Sequence, residues 1–207
     1  MVMIVDTYKI RRFGIVDSAN ERLESNDLIA QARTSYNAFA LLYRRHYDAI
    51  FKYCVHRLFD RHLAEDITSQ VFLKVVEKFE FFEGDEQQFH NWLYRIAINA
   101  VNSHLRKTAR RKSLLKVACE RANNKADNCA QSSEKLAVLK SALLSIKPRY
   151  QTIITLRFFE NLKLTEITEV LGSNPGTVRS QLARALAKLR KELNVGKAAY
   201  RPGGMTK

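Results

Sequence analysis

The sequence predicts an all-α fold of two small helical domains joined by a flexible linker. Three observations lead there. Apolar residues recur at steps of three and four from Tyr36 to Leu105 and again from Leu136 to Leu189, with no strand-like alternation of useful length. Between these stretches Asn123, Asn124, Asp127, Asn128, Gln131, Ser132 and Ser133 crowd together, and large apolar residues vanish after Val117. At 207 residues, 46% of them hydrophobic, the chain has length and apolar content for one or two domains with real cores.

Residues 1–30 are mixed and weakly periodic and read as an N-terminal extension. A first helix puts Tyr36, Phe39, Ala40, Tyr43, Tyr47, Ile50, Phe51, Cys54, Val55 and Leu58 on one face. A second carries Ala64, Ile67, Val71, Phe72, Val75, Val76 and Phe79, with Glu65 and Asp66 in its first turn, at the positive end of the helix dipole. Phe82-Glu83-Gly84-Asp85-Glu86-Gln87 reads as a polar loop. A third helix places Phe89, Trp92, Leu93, Ile96, Ala97, Ala100, Val101, His104 and Leu105 on its stripe. The start of the connection extends that helix, which sets the first domain at 31–112 and the linker at 113–133. Helices resume near Glu134 with Leu136, Leu139, Leu143 and Leu144. Pro148 opens a further helix at a position where proline is tolerated, with Tyr150, Ile153, Ile154, Leu156, Phe158 and Phe159, ending near Asn161. The second domain spans 134–196, and 197–207 form a basic tail.

The formal net charge is +14, and its placement says more than its size. Lys107, Arg110, Arg111, Lys112 and Lys116 form one run without an acid; residues 174–207 hold eight bases against Glu192 alone. A chain that is near neutral except in two patches suits a polyanion. The 107–116 run has no interspersed side chain suited to base acceptors, so Lys107, Arg110, Arg111 and Lys112 are candidate phosphate contacts. Cys54, Cys119 and Cys129 have no metal-knuckle spacing, and the histidines form no cluster, so neither a metal nor a cofactor is expected. No segment approaches the roughly 20 apolar residues of a membrane span, and the N-terminus carries no secretory signal. The cytoplasm is the default compartment, with no membrane contact of the chain's own.

Residues 164–190 read LTEITEVLGSNPGTVRSQLARALAKLR. Thr165 can cap a short helix with Ile167, Val170 and Leu171 inside. Gly172 reaches the left-handed conformation cheaply and ends it. Asn174-Pro175 then supply an N-cap and a first helical position for a second helix, whose buried stripe is Val178, Leu182, Ala185 and Leu189. This is a helix-turn-helix whose second helix can enter a major groove. Thr177, Arg179, Ser180, Ala183 and Arg184 lie opposite the stripe; arginine can bond guanine bidentately, and serine or threonine can bond bases or phosphates.

On these residues the sequence resembles the extracytoplasmic-function group of bacterial sigma factors, in the sigma-seventy superfamily. The N-terminal match lies in AEDITSQVFLKVVEKF (64–79) and NWLYRIAINAVNSHLRK (91–107), and the C-terminal match in LRFFENLKLTEITEVLG (156–172) and NPGTVRSQLARALAKLRKEL (174–193). The resemblance implies that the first domain is sigma region two, which binds the polymerase clamp and reads the melted minus-ten element. It implies that the second is region four, which reads the minus-thirty-five element. The implied clamp contacts are Asp66, Ser69 and Gln70, where the family's usual Gln-Glu pair stands as Ser69-Gln70. The implied melted-strand contacts are the loop Phe82, Glu83, Gly84, Asp85, Glu86 and Gln87, with Asn99 and Asn102 on the next helix. The implied upstream contacts are Thr177, Arg179, Ser180 and Arg184. The family often has more arginine in that helix, where this chain has Gln181 and Leu186. Core RNA polymerase and promoter DNA are the implied partners, and the family often has an anti-sigma factor.

Two rival classes fit the residues less well. A recombinase with a C-terminal helix-turn-helix needs a nucleophilic serine or tyrosine held by arginines, and the first domain shows no such constellation. A response regulator needs an alternating strand–helix receiver, and the strands are missing. The sequence therefore predicts a binding protein and no catalysis.

Overall fold

A computed structural model of the chain describes residues 25–119 and 134–199. Regular structure among them is entirely helical. Most of the expected connection, the start of the expected extension, the end of the tail and Cys129 lie outside the described residues, as do the side chains of Lys112 and Cys119.

Helix α1 (Ser25–Ala32) was not expected and falls largely within the segment read as an extension. It buries Leu28, Ile29 and Ala32, and the Arg33 guanidinium behind it donates to the Phe82 carbonyl. Eight residues give too few turns for a period to emerge from the sequence. Helix α2 (Tyr36–Leu58) starts on Ser35, whose hydroxyl accepts from the Ala38 amide at 3.4 Å, and stops on Phe59 in the left-handed region. Tyr36, expected on the buried stripe, is 74% exposed because nothing covers the first turn; burial begins at Ala38.

Helix α3 (Arg61–Lys78) begins one turn before the first stripe residue, capped by Asp60, whose carboxylate accepts from the Leu63 amide at 3.0 Å. Asp60 therefore serves the positive end of the dipole, and Glu65 and Asp66 stand in the second turn. Val76 was expected inside and is exposed. Adjacent residues point about 100° apart on a helix, so Val75 takes the core and Val76 the solvent.

Helix α4 (Glu86–Cys119) is capped reciprocally. The Gln88 amide donates to Asp85 Oδ1 at 2.7 Å, and the Asp85 amide donates to Gln88 Oε1 at 3.1 Å. The expected loop is thus shorter: Glu86 and Gln87 already belong to the helix. Gly84, at φ 148°, permits the turn, since an added Cβ would stand 2.2 Å from Gln88 Oε1. At its other end α4 carries the basic run as helix past residue 112, where the first domain was expected to stop.

The second domain packs α5 (Glu134–Ser145) and α6 (Pro148–Ile154) against α8 (Pro175–Ala199). Leu144 and Phe158, both read into apolar helices, are exposed. α6 runs on through a widened π turn, Thr155–Phe159, closed by the Glu160 amide on the Thr155 carbonyl at 3.0 Å. Helix α7 (Leu164–Leu171) opens one residue ahead of Thr165: the Glu166 carboxylate accepts from the Lys163 amide at 2.5 Å, so Thr165 is helical and is not the cap. Gly172 ends α7 at φ 58°, and Asn174 Oδ1 accepts from the Gly176 amide at 2.9 Å beside Pro175, as the turn chemistry predicts.

The two domains share a seam. The apolar cluster of α1–α4 continues without a break into Leu156, Leu162, Ile167, Val170 and Val178. A second cluster, Leu143, Ile146, Tyr150, Ile154 and Ala185, has Phe59 of the first domain packed against it.

Candidate nucleic-acid interface

Four surfaces carry the residues singled out in the sequence. On α8, Val178 and Ala185 are buried and Leu182 and Leu189 half-buried, which turns Thr177, Arg179, Ser180 and Arg184 outward. All four are exposed, and Ser180 Oγ donates back to the Thr177 carbonyl at 3.0 Å. Arg179 and Arg184 are free to reach a groove, and Pro175 at the first helical position leaves the N-terminal turn accessible.

The second surface is an open cleft of about 1260 Å³ beside the 82–85 turn. Glu83, Asp85, Gln87, Gln88 and Trp92 line it. Phe82, expected to face the strand, is buried: its ring centroid lies 5.5 Å from Phe89 and 5.0 Å from Trp92. Phe82 forms the floor that holds Trp92, and Trp92 reaches both the core and the cleft. Its flat, partly accessible ring suits base stacking. Glu86 points elsewhere, its carboxylate bonded by Arg45 at 2.7 Å, so the first residue of α4 is committed to structure. Beneath it His46 is 7% exposed. Burial, with His90 adding to it, pushes the His46 imidazole down to about 4.

Further along α4, Asn99 is exposed and Asn102 half-buried. Asn102 Oδ1 accepts from the Arg57 guanidinium at 3.1 Å. Arg106 and Arg110 continue this face, and Lys107 and Arg111 lie on the adjoining one; all four are exposed, a basic stretch running away from the cleft. Arg106 lies one residue outside the acid-free 107–116 run, yet helical spacing places it beside Arg110.

The cleft has a second wall that the sequence reading missed. Asn91 Nδ2 donates to Glu169 Oε2 at 2.9 Å, and Arg95 Nε donates to the Val170 carbonyl at 2.9 Å, its Nη2 also bonding the Glu169 carbonyl. These groups come from α7, so the end of one domain's helix stands in the other domain's cleft. Nearby, Glu160 is wedged between His56 Nδ1 at 3.1 Å and the Tyr94 hydroxyl, which donates at 3.4 Å. Burial pushes the Glu160 carboxyl up, and the bond to His56 pulls it back. No periodicity reports such contacts, because they join residues 66 to 104 positions apart.

The fourth surface is the outer face of α3. Asp66, Ser69 and Gln70 are exposed, and the face continues into Leu73 and Val76, 60% and 57% exposed. The apolar pair extends the polar face with a patch that a partner could bury.

No group of three or more histidine, cysteine or acidic residues is placed to hold a metal among the described residues. Cys54 is buried, and burial pushes its thiol up to about 11. Among the described residues no helix is long and apolar enough to cross a membrane.

Comparison with known proteins accords with this arrangement. Residues 42–111 match the family model Sigma-70 region 2, and residues 136–189 match Sigma-70, region 4. The chain is 31% identical over 172 residues to the RNA polymerase sigma-H factor of Pseudomonas aeruginosa, covering 78% of this chain and 89% of that one. It is 28% identical over 171 residues to the ECF RNA polymerase sigma factor SigW of Bacillus subtilis, covering 76% and 89%. It is 29% identical over 161 residues to the ECF RNA polymerase sigma factor BldN of Streptomyces coelicolor, covering 76% of this chain and 61% of the relative. Among solved structures, CnrH in complex with the cytosolic domain of CnrY superposes with a TM-score of 0.61 at 22% identity, over 83% of this chain and 97% of the other. The sigma factor RpoE in complex with the anti-sigma factor NepR from Bartonella quintana superposes with a TM-score of 0.57 at 20% identity, over 76% and 97%. The two matched regions, in this order, and relatives of about the same length establish that this chain belongs to the extracytoplasmic-function group of the sigma-70 family.

Proposed function

We propose that this chain joins core RNA polymerase and directs transcription initiation from specific promoters. The observation that carries the reading is the exposed Thr177–Arg179–Ser180–Arg184 face on the second helix of a helix-turn-helix, in one chain with a region-two bundle that holds a polar, aromatic-floored cleft. In this reading α8 enters the major groove at the minus-thirty-five element, with Arg179 and Arg184 contacting base edges. The cleft takes a base of the melted minus-ten element: Glu83, Asp85 and Gln87 meet its edge, Trp92 stacks on it, and Asn99 lies next along the strand. Lys107, Arg110, Arg111 and Lys112 neutralise phosphates. Asp66, Ser69 and Gln70, with Leu73 and Val76 next along the helix, dock on the polymerase.

The chain's part is binding and positioning, in the cytoplasm, while bond formation stays with the polymerase. An anti-sigma factor is a further proposed partner, since NepR fills that role for RpoE. The test is transcription from a random promoter library with core polymerase plus this protein. Enrichment of a two-part element with fixed spacing supports the reading. A library that stays random, with active core enzyme, overturns it.

A further inference from the structure

The second domain gathers cations from two helices around one phenol. The Tyr150 ring is 4% exposed; it shares an apolar cluster with Ala185, and Leu189 packs against that cluster. Arg149, on the surface of α6, donates from Nη2 to the Tyr150 hydroxyl at 3.1 Å, and its guanidinium lies over the ring, 4.8 Å from the centroid. On α8, Arg184 and Lys188 stand one turn apart, directly before Ala185 and Leu189, and both are exposed. The bond from Arg149 holds the phenol below its ordinary value against the push of burial, and the charges of Arg149, Arg184 and Lys188 act in the same direction. Among the described residues no acid pairs with any of the three. Cations held together without a counter-charge draw an anion. The Tyr150 hydroxyl, already accepting one bond, keeps its own proton to donate.

We propose that Arg149, the Tyr150 hydroxyl and Lys188 form a site that grips one backbone phosphate of the upstream duplex, beside the groove that α8 enters. The site rests on the reading of α8 as the helix that reads this duplex. Arg184 stands one turn before Lys188, so the site is continuous with the face that meets base edges. A phosphodiester fits the chemistry: it carries one negative charge, and its free oxygens accept from a guanidinium, an ammonium and a hydroxyl together. The Tyr150 ring is fixed in the core, so its hydroxyl is a set point on which the two long side chains close. Arg149 and Tyr150 come from α6 and Lys188 from α8. A phosphate held by both helices fixes the angle at which α8 lies in the groove, and it positions the domain without reading sequence.

The test uses the full chain with core polymerase and a promoter fragment selected with it, and measures binding across a salt series. Tyr150→Phe removes one hydroxyl and keeps the buried ring; Arg149→Ala and Lys188→Ala each remove one cation. Circular dichroism and thermal melts report the folding of each variant. Single phosphates around the upstream element are replaced in turn by neutral methylphosphonates. The expected result is binding about tenfold weaker in Tyr150→Phe at an unchanged salt slope. Each cation variant should bind about threefold to tenfold more weakly, with the slope flattened by up to about 1. Base preference should stay that of the wild type in all three. One methylphosphonate position should weaken the wild type and cost Tyr150→Phe nothing further, since both changes remove the same contact. If the three substitutions cost the same on every methylphosphonate fragment, or cost nothing, while Arg179→Ala still relaxes base preference, the phosphate site is wrong and the groove reading stands. In the first of those cases the three residues serve an acidic protein surface instead. If Arg179→Ala and Arg184→Ala change neither affinity nor preference and no upstream methylphosphonate weakens binding, the groove reading is wrong and the site falls with it.

Discussion

Arg57 is 1% exposed at the seam, and its two hydrogen-bond acceptors, Gln151 Oε1 and Asn102 Oδ1, are neutral amides. The Tyr53 hydroxyl stands beside the same guanidinium, and a buried cation held by neutral groups makes an unusual prediction about two variants. Gln151→Leu removes one acceptor and leaves the charge in place, held by Asn102; losing a hydrogen bond to a charged group costs about 1.5–3 kcal/mol. Gln151 also donates to the Ile146 carbonyl at 2.8 Å, and losing that bond adds about 1 kcal/mol. Arg57→Met removes the charge itself and keeps most of the volume. It orphans two amide oxygens, at about 1 kcal/mol each, but also removes the desolvation cost of the guanidinium, so its net effect lies within about 1–2 kcal/mol of zero. The damage to the seam should therefore be larger when the partner is removed than when the charge is removed, by about 1 kcal/mol or more, a factor of about 5. Urea unfolding of the full chain, followed by circular dichroism, measures both. Equal destabilisation by the two substitutions, or greater loss in Arg57→Met, would show that Arg57 is hydrated in solution and that the argument from burial is wrong.

Other outcomes follow from the same structure. Arg179→Ala and Arg184→Ala should each weaken binding to a selected upstream duplex by about 1–3 kcal/mol and relax preference at one base pair, read by gel shift; unchanged affinity and preference in both would remove α8 from the groove. Neutralising Arg110, Arg111 and Lys112 together should weaken promoter binding about equally across sequences and flatten the salt slope by about 2–3; altered sequence preference at an intact slope contradicts a phosphate role. His46 has a folded value of about 4 against 6.5 for the free group, so the unfolded chain binds more protons between those limits. The stability of the first domain should be complete above about pH 6.5 and fall by up to about 3 kcal/mol as pH drops through 4. Thermal melts of wild type and His46→Gln across that window check it, and identical pH slopes would refute the assignment to His46.

The helical stripes were legible because burial on one face leaves a 3.6-residue period, and the turn at Gly172–Pro175 because glycine, asparagine and proline each have a local steric role there. The outward face of α8 followed from the stripe by geometry alone: Arg179 and Arg184 are exposed because Val178 and Ala185 are buried. Period cannot settle a neighbouring apolar pair, which is why Val76 was read inward. It also cannot weigh a short helix such as α1, whose place is fixed by Leu28 and Ile29 packing against helices far along the chain. The cleft was half visible. Its loop announced itself through Gly84 and Asp85, but Phe82 proved to be floor, and Asn91, Arg95 and Glu169 could not be connected from sequence, since nothing local links α4 to α7.

The central claim is that this protein opens promoters only as part of the polymerase, docking through α3. Permanganate footprinting of a selected promoter tests it most directly, with free protein, with core enzyme plus wild type, and with core enzyme plus an α3 variant combining Asp66→Lys, Gln70→Ala and Leu73→Ser. The account predicts reactive thymines in the minus-ten element only when core enzyme and wild type are both present. It predicts strongly reduced reactivity with the variant, while duplex binding through α8 survives. Reactive thymines with the free protein alone would contradict it.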